Sequence, residues 1–411
     1  MKDIKAIAEK IQNAAQDARL ETARILSELV RIKSYSGQEE AVIKAIEKMC
    51  NEYGFDEVKI DDLGSLIVRI GNGKRILAID AHIDTVETGD LSQWTRDPFS
   101  GDIDGPHVYG RGTSDQKGGA ASMIAAGRIL KQIAYDGDFS VYLTFTVLEE
   151  DCDGMCWKYL IEEEGLKPDF VVSTEPTSVQ LYRGHRGRME MQITLRGVSS
   201  HGSAPERGDS AAYKAARAAL ALERLNERLQ PDKSGFLGKG TVVVSRIDVK
   251  GPSQCAVPDF ATLYVDRRLT EGETADMAVA QVKKAVGDAI GVDPETVDVI
   301  IPHFAKRGWR DTDYGQELYF PTWTLPEDAE LVQGGKEAYR ALYGKDPVVD
   351  KWTFSTNLVA VSGRHGIPAI GFGPGDEREA HAPNEKTRID DLTVSAAFYA
   401  LLPYVLEYIN T

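Results

Sequence analysis

Residues 75–89 read RILAIDAHIDTVETG. The apolar run Ile76-Leu77-Ala78-Ile79 has the composition of a buried strand. It then delivers Asp80, His82 and Asp84 in alternation. Residues two apart on a strand share a face, so a strand leaving a core carries three polar, chargeable side chains to one side. Such groups are costly to bury without partners, and the pattern asks for a site at the end of this strand.

Working outward, helices and strands alternate on both sides of this stretch. An N-terminal helix and a second helix, GQEEAVIKAIEKMCNEYG, lead to the strands SLIVRIG and RILAIDAHI. A helix, GGAASMIAAGRILKQIA, precedes the strand FSVYLTFTVLEE, and a short helix precedes DFVVSTEP. This order predicts an α/β fold: a mixed, mostly parallel sheet flanked by helices. From Gly187 the style changes. RMEMQITLRG alternates like a half-exposed strand; a long helix, DSAAYKAARAALALERLNERL, then leads to TVVVSRIDVKG and ATLYVDRRLT, and a helix near 273–291 precedes TVDVIIP. An α+β domain with one open face is expected here, inserted into the α/β domain. The expected division is 1–186 and 306–411 for the catalytic domain and 187–305 for the insert.

The 411 residues suffice for two or three domains. A formal net charge of -16 disfavours nucleic acid and anionic membrane as partners. The N-terminus lacks the continuous apolar segment of a signal peptide, and no stretch is read as a membrane span. Cys50, Cys152, Cys156 and Cys255 form no Cys-x-x-Cys pair and read as free thiols, with Cys152 and Cys156 half-buried at a helix start. A cytoplasmic location is expected. GNGKR lacks the glycine and Ser/Thr of a P-loop, and GRGTSD lacks the third glycine of a dinucleotide fingerprint.

Function in open α/β sheets gathers at the carboxyl ends of strands. The strand at 75–81 ends in His82 and Asp84, that at 140–148 in Glu149, Glu150 and Asp151, and that at 170–174 in Glu175. The strand at 367–372 opens into a glycine-rich loop and then His381, and Asp115 stands just before a helix. Taken singly, each has a plain reading as a satisfied histidine, a turn or a solvated cap. Together, two histidines and several carboxylates at one sheet edge form the ligand set of a hard-to-borderline metal site. The His82-x-Asp84 spacing lets the Asp84 carboxylate hold the imidazole nitrogen that faces away from the metal. Adjacent Glu149 and Glu150 point to different sides if the backbone there is extended.

The motifs AHIDTV, GRGTSDQKGG, VLEED, STEPT, SSHGSAPERG, VPDFATLYVDRR and GFGPGDEREAHAPNE occur in an order that resembles one group of metallopeptidases. That group includes aminoacylases, carboxypeptidase G, bacterial dipeptidases and succinyl-diaminopimelate desuccinylase. FPTWTLPEDAELV and DRRLTEGET look like a poorly characterised hydrolase branch linked to selenium or purine catabolism. The resemblance spans nearly the whole chain. It implies two zinc ions per chain bridged by one Asp and a water or hydroxide, with manganese or cobalt as alternatives. His82, Asp115 and Glu175 would hold one ion, and Asp115, Glu150 and His381 the other. Glu149 matches the general base. The insert would be a lid and dimerisation domain, making a homodimer, and His201 would stabilise the oxyanion in a partner's site. Arg268 matches the residue that meets a substrate carboxylate, a task suited to its planar fork, although Arg267 is adjacent. Asn357 and the loop Gly373-Pro374-Gly375 are expected to line the pocket.

The implied activity is hydrolysis of a C–N amide bond in a small carboxylate-bearing molecule: an N-acyl amino acid, a dipeptide or an N-carbamoyl compound. The alternative is a catalytically silent relative that binds a metabolite. Two departures from the family pattern stand out. Cys255 replaces an Asn three residues before Pro258, and Leu148 replaces an Asp before the Glu pair. A cis peptide is expected between Asp115 and Gln116.

Overall fold

The computed structural model describes residues 4–409. An eight-stranded sheet forms its centre, in the order Glu57–Ile60, Leu66–Ile70, Phe139–Thr146, Arg75–His82, Phe170–Ser173, Ala369–Gly371, Leu181–Tyr182, Val349–Asp350. Arg75–His82 lies between Phe139–Thr146 and Phe170–Ser173 and is parallel to both. Ala369–Gly371 is parallel to Phe170–Ser173. Parallel neighbours finish at the same edge, so the residues that follow these strands meet in space. The strands are buried almost without alternation, as apolar strands covered on both faces are.

Helices Ile4–Asp17, Arg19–Arg31, Gly118–Gln132 and Glu330–Tyr343 pack around the C-terminal helix Ile389–Tyr408. That last helix is long and apolar enough to cross a membrane, contrary to the reading of the sequence. Most of it is buried inside the fold, however, which makes it a core helix. Helix Gly118–Gln132 opens on two glycines because it runs hard against the neighbouring strand end. A Cβ on Gly119 would stand 2.0 Å from Thr174 Oγ1. The close approach brings the loop before the helix, with Asp115, beside Glu175.

A second core gathers residues between Met189 and Val297. Its strands run Thr241–Lys250, Phe260–Leu269, Gly187–Arg196, Asp298–Ile300, all antiparallel. Helices Ala211–Arg228 and Ala275–Ile290 pack together, and the first covers this sheet. Ser210 and Thr274 cap their N-termini by accepting from the backbone N–H groups of Tyr213 and Met277. The chain does not return to the first core in one step. Phe304, Trp309 and Tyr314, on and between two short paired strands, pack against the first core. Tyr319–Phe320 then pairs with Gly187–Arg196.

Candidate metal centre

His82 ends its strand almost fully buried. Its Nδ1 lies 2.9 Å from the backbone carbonyl of Asp84. A carbonyl only accepts, so Nδ1 carries a proton, and Nε2 is the nitrogen that faces the site. Asp84 therefore orients the ring mainly through its main chain, with its carboxylate 3.6 Å away. The Asp84 carboxylate stands behind the same nitrogen, on the side the spacing predicts, while the main-chain carbonyl makes the closer contact. That carboxylate also accepts from Ser36 Oγ at 2.6 Å and from the N–H groups of Glu149 and Glu150.

Around His82 Nε2 stand Asp115 Oδ1 at 2.9 Å, Glu175 Oε1 at 3.7 Å and Glu149 Oε2 at 3.9 Å. The other Asp115 oxygen, Oδ2, is 3.3 Å from His381 Nε2, which lies 2.9 Å from Glu150 Oε2. Two groups, His82–Asp115–Glu175 and Asp115–Glu150–His381, each bring their donor atoms within 4.8 Å of one another. The Asp115–Gln116 peptide is cis. Glu149 and Glu150 occupy a turn rather than extended chain, and Leu148 before them has φ of 63°. The turn separates the two carboxylates, one toward His82 and one toward His381.

Burial and mutual charge hold the groups of this cluster away from their ordinary protonation. Burial, with the charges of Glu175, Asp153 and Glu150, pushes Glu149 well above the usual carboxylate range, against the pull of His82. Burial and Asp115 push Glu175 up in the same way. Burial opposes charge on His82, yet Glu149, Asp115 and Asp84 hold its pKa well above normal. Contacts with Asp115 and Glu150 raise His381 to about 10. One buried Glu175 oxygen, Oε2, has no hydrogen-bond partner among the described residues. Four carboxylates against two imidazoles, with one carboxylate facing both rings, are a donor set that fits two divalent ions sharing Asp115.

The remaining predicted residues fall in different places. Arg268 lines a pocket of about 740 Å³ together with Glu149 and His381. Its neighbour Arg267 is fully buried and bonded to Glu273 and Gln281. Asn357 does not line the pocket. It is buried, its amide donates to Asp80 and Thr146, and its oxygen accepts from Gly154 N–H and Cys156 Sγ. Every polar atom of its side chain is thus spent on holding strand ends together. Gly373 is also committed, its N–H bonded to Thr177 Oγ1 at 3.0 Å. Gly375 borders a smaller adjoining cavity. His201 is exposed on a loop of the second sheet domain, bonded to Ser203 Oγ at 2.7 Å. That loop is pinned to the next by Gly202 N–H donating to Cys255 O at 2.7 Å, a main-chain bond indifferent to the Cys255 side chain. Cys152 and Cys156 are fully buried rather than half-buried.

The sequence reading missed the residues that brace the site. Glu385 is buried and accepts from the N–H groups of Gly112, Ser114 and Asp115 and from Arg111 Nη1 at 2.8 Å. Arg111 also donates to the carbonyls of His381 and Ala382. One ion pair therefore ties the Asp115 loop to the His381 loop. Glu39 Oε1 accepts from Gly37 and Leu148 N–H, steadying the turn before the Glu pair. The only sequence signal for Glu385 was its place in the HAPNE motif, and none pointed to Glu39.

The model described as peptidase family M20/M25/M40 matches residues 78–404. The chain belongs to this family. Among M20 relatives, the Escherichia coli (strain K12) protein "Uncharacterized protein YgeY" is 48% identical over 395 residues, 96% of each chain. A "Probable succinyl-diaminopimelate desuccinylase" of Staphylococcus epidermidis is 27% identical over 89% of this chain and 93% of its own. Among solved structures, aminopeptidase PepT of Bacillus cereus superposes with a TM-score of 0.73 at 21% identity, covering 94% and 98% of the two chains. Human carnosine dipeptidase 1 gives 0.71 at 14%, over 98% and 99%. These likenesses confirm the mixed α/β fold. M20 membership makes the chain a metal-dependent amidohydrolase.

Proposed function

We propose that this protein hydrolyses the amide bond of a small carboxylate-bearing molecule, with one metal ion held by His82, Asp115 and Glu175 and a second by Asp115, Glu150 and His381. The observation that carries this reading is Asp115, whose two oxygens face two different imidazoles. Zinc suits the mixed nitrogen and carboxylate donors, and manganese or cobalt suit them too. When bound, such ions polarise a carbonyl and lower the pKa of water.

The chain's own residues supply the rest. Glu149 faces the pocket, with its carboxylate 3.9 Å from His82 Nε2. It accepts a proton from the attacking water and returns it to the amine nitrogen as the C–N bond breaks, releasing acid and amine. Such transfer contributes ~10²–10⁴ in rate. Asp84 holds Glu149 and Glu150 by their main chains, so the base and a ligand keep their spacing. The names of relatives and fold neighbours include desuccinylase, dipeptidase and carbamoylase. They support N-acyl amino acids, dipeptides and N-carbamoyl compounds as the substrate range.

The segment 187–305 acts as a lid and joins two copies. Val243, Ile247 and Val249 are exposed along the edge strand Thr241–Lys250, with Tyr213 and Leu220 exposed on the neighbouring helix. An apolar sheet edge of this kind invites pairing. In the dimer, His201 reaches the partner's site and donates to the developing oxyanion, a contribution of ~10²–10³ in kcat. Val243→Asp should shift sedimentation from dimer to monomer. The unpaired thiols and the charge of -16 support a cytoplasmic enzyme without nucleic-acid or membrane partners.

The decisive experiment measures metal content and turnover together. Protein purified without chelator and supplied with zinc is assayed on N-acetyl amino acids, dipeptides and N-carbamoyl amino acids. About two ions per chain are expected, with Glu149→Gln keeping them and losing turnover. A wild-type protein without stoichiometric metal, or a Glu149→Gln variant as active as wild type, would sink the reading.

A further inference from the structure

We propose that Arg188, and not Arg268, is the guanidinium that receives the carboxylate of the substrate. The inference rests on the hydrolase reading only in taking the pocket beside Glu149 as the ligand site. Arg188 and Arg268 stand directly opposite each other on neighbouring antiparallel strands, and both line that pocket. Residues directly opposite share a face, and like charges so placed repel. How each charge is compensated distinguishes them.

Arg268 is already occupied. Its Nε donates to Asp266 Oδ1 at 2.9 Å and its Nη2 to Asp266 Oδ2 at 3.2 Å. This two-point bond takes the Nε–Nη2 edge of the fork and compensates its charge, leaving the Nη1 side for a ligand. Arg188 is different. Its Nε is buried with no hydrogen-bond partner among the described residues. Its neighbouring carboxylates are Asp153 Oδ1, 3.8 Å from Nη1, and Glu190 Oε1, 3.6 Å from Nη2. Both are close enough to attract the charge and too far to accept a hydrogen bond.

The Arg188 guanidinium is also held in place without spending its donors. It lies over the ring of Phe320, 4.6 Å from the centroid, and Phe320 is fully buried. The Asp153 carboxylate is itself engaged by Ser355 Oγ. A permanently charged group with five N–H donors, fixed by stacking and left without an acceptor, is preorganised for a planar anion. Asp153 belongs to the segment just after Glu149 and Glu150, so an anion on Arg188 is anchored on the side of the pocket that holds the base.

The test reads binding, not turnover. In zinc-loaded Glu149→Gln protein, a panel of N-acetyl amino acids is titrated by calorimetry, each beside its neutral C-terminal amide. For the tightest acid, Arg188→Met should raise Kd about 10- to 100-fold, the range of a charged hydrogen bond. Arg268→Met should change it by less than about 3-fold, and the amides should bind all variants equally. Arg188→Lys keeps the charge and loses the fork, so its Kd should fall between wild type and Arg188→Met. It also serves if the Met variant fails to fold. The proposal is overturned if Arg268→Met has the larger effect. It is overturned equally if the Arg188 variants weaken acid and amide alike, as a packing role on Phe320 requires, or if no acid outbinds its amide in the unmutated pocket. Preference that depends on Arg188 without hydrolysis of any acid in wild type would sink the hydrolase reading alone. Hydrolysis with a preference indifferent to Arg188 would sink this inference alone.

Discussion

Buried His185 should make the fold lose stability in mild acid by an amount that one substitution removes. Its Nδ1 lies 2.9 Å from the Arg186 carbonyl, so Nδ1 carries the proton. Its Nε2 accepts from the Thr356 backbone N–H at 3.3 Å, with Thr356 Oγ1 at 3.2 Å. The neutral ring satisfies every contact, and a second proton would point one N–H at another. Burial, reinforced by the charge of Arg268, lowers the pKa from 6.5 to about 4. Between those values the unfolded chain holds a proton that the native chain refuses, so stability falls as pH falls. The contribution lost between about pH 6.5 and about pH 5 is roughly 1.5 kcal/mol. Urea unfolding at both pH values should show this loss in wild type and not in His185→Phe, relative to each protein's own stability at the higher pH. Costs that do not depend on pH, such as the unpaired Thr356 N–H, cancel in that comparison. Identical losses in the two proteins would mean that His185 is protonated in the native state and that the assigned hydrogen bonds are wrong.

Three further outcomes follow from the bracing of the site. Glu385→Gln keeps the shape but loses the charge that pairs Arg111 and gathers three N–H groups, so zinc affinity should drop about 10- to 100-fold, as for other residues that orient ligands; competition with a chelator measures it. Asn357→Ala strips partners from buried Asp80, Gly154 and Thr146 and should cost about 2–4 kcal/mol in unfolding free energy while leaving KM unchanged; a raised KM with normal stability would restore it to the pocket wall. A Cβ at Gly373 would stand 2.0 Å from Thr174 O and 2.3 Å from Glu175 O. Gly373→Ala should therefore displace Glu175 and reduce bound metal, read by elemental analysis of folded protein.

Much of the fold and half of the site were legible because their signals are local. RILAIDAH announces a buried strand by composition, and a parallel neighbour must end at the same edge. That placed His82, Glu149, Glu150 and Glu175 together without any knowledge of the loops. The order of motifs carried Asp115 and His381 by resemblance. Alternation put the Asp84 carboxylate behind His82, where it stands, though the main-chain carbonyl makes the closer contact. Local rules also misled. An Asn in a loop read as a ligand contact, because nothing in FSTNLVA records that four partners already use it.

The sequence by itself determined the α/β order, the strand-end chemistry and the acidic character of the chain. These follow from periodicity, composition and charge, which neighbours along the chain set. Only the tertiary structure decided which polar groups are already satisfied. Arg111 and Glu385 are 274 residues apart, and Arg188 is distinguished from Arg268 by an aspartate beside one and none in bonding range of the other. Hydrogen-bond saturation and burial are properties of contacts between distant segments, and no pattern along the chain encodes them.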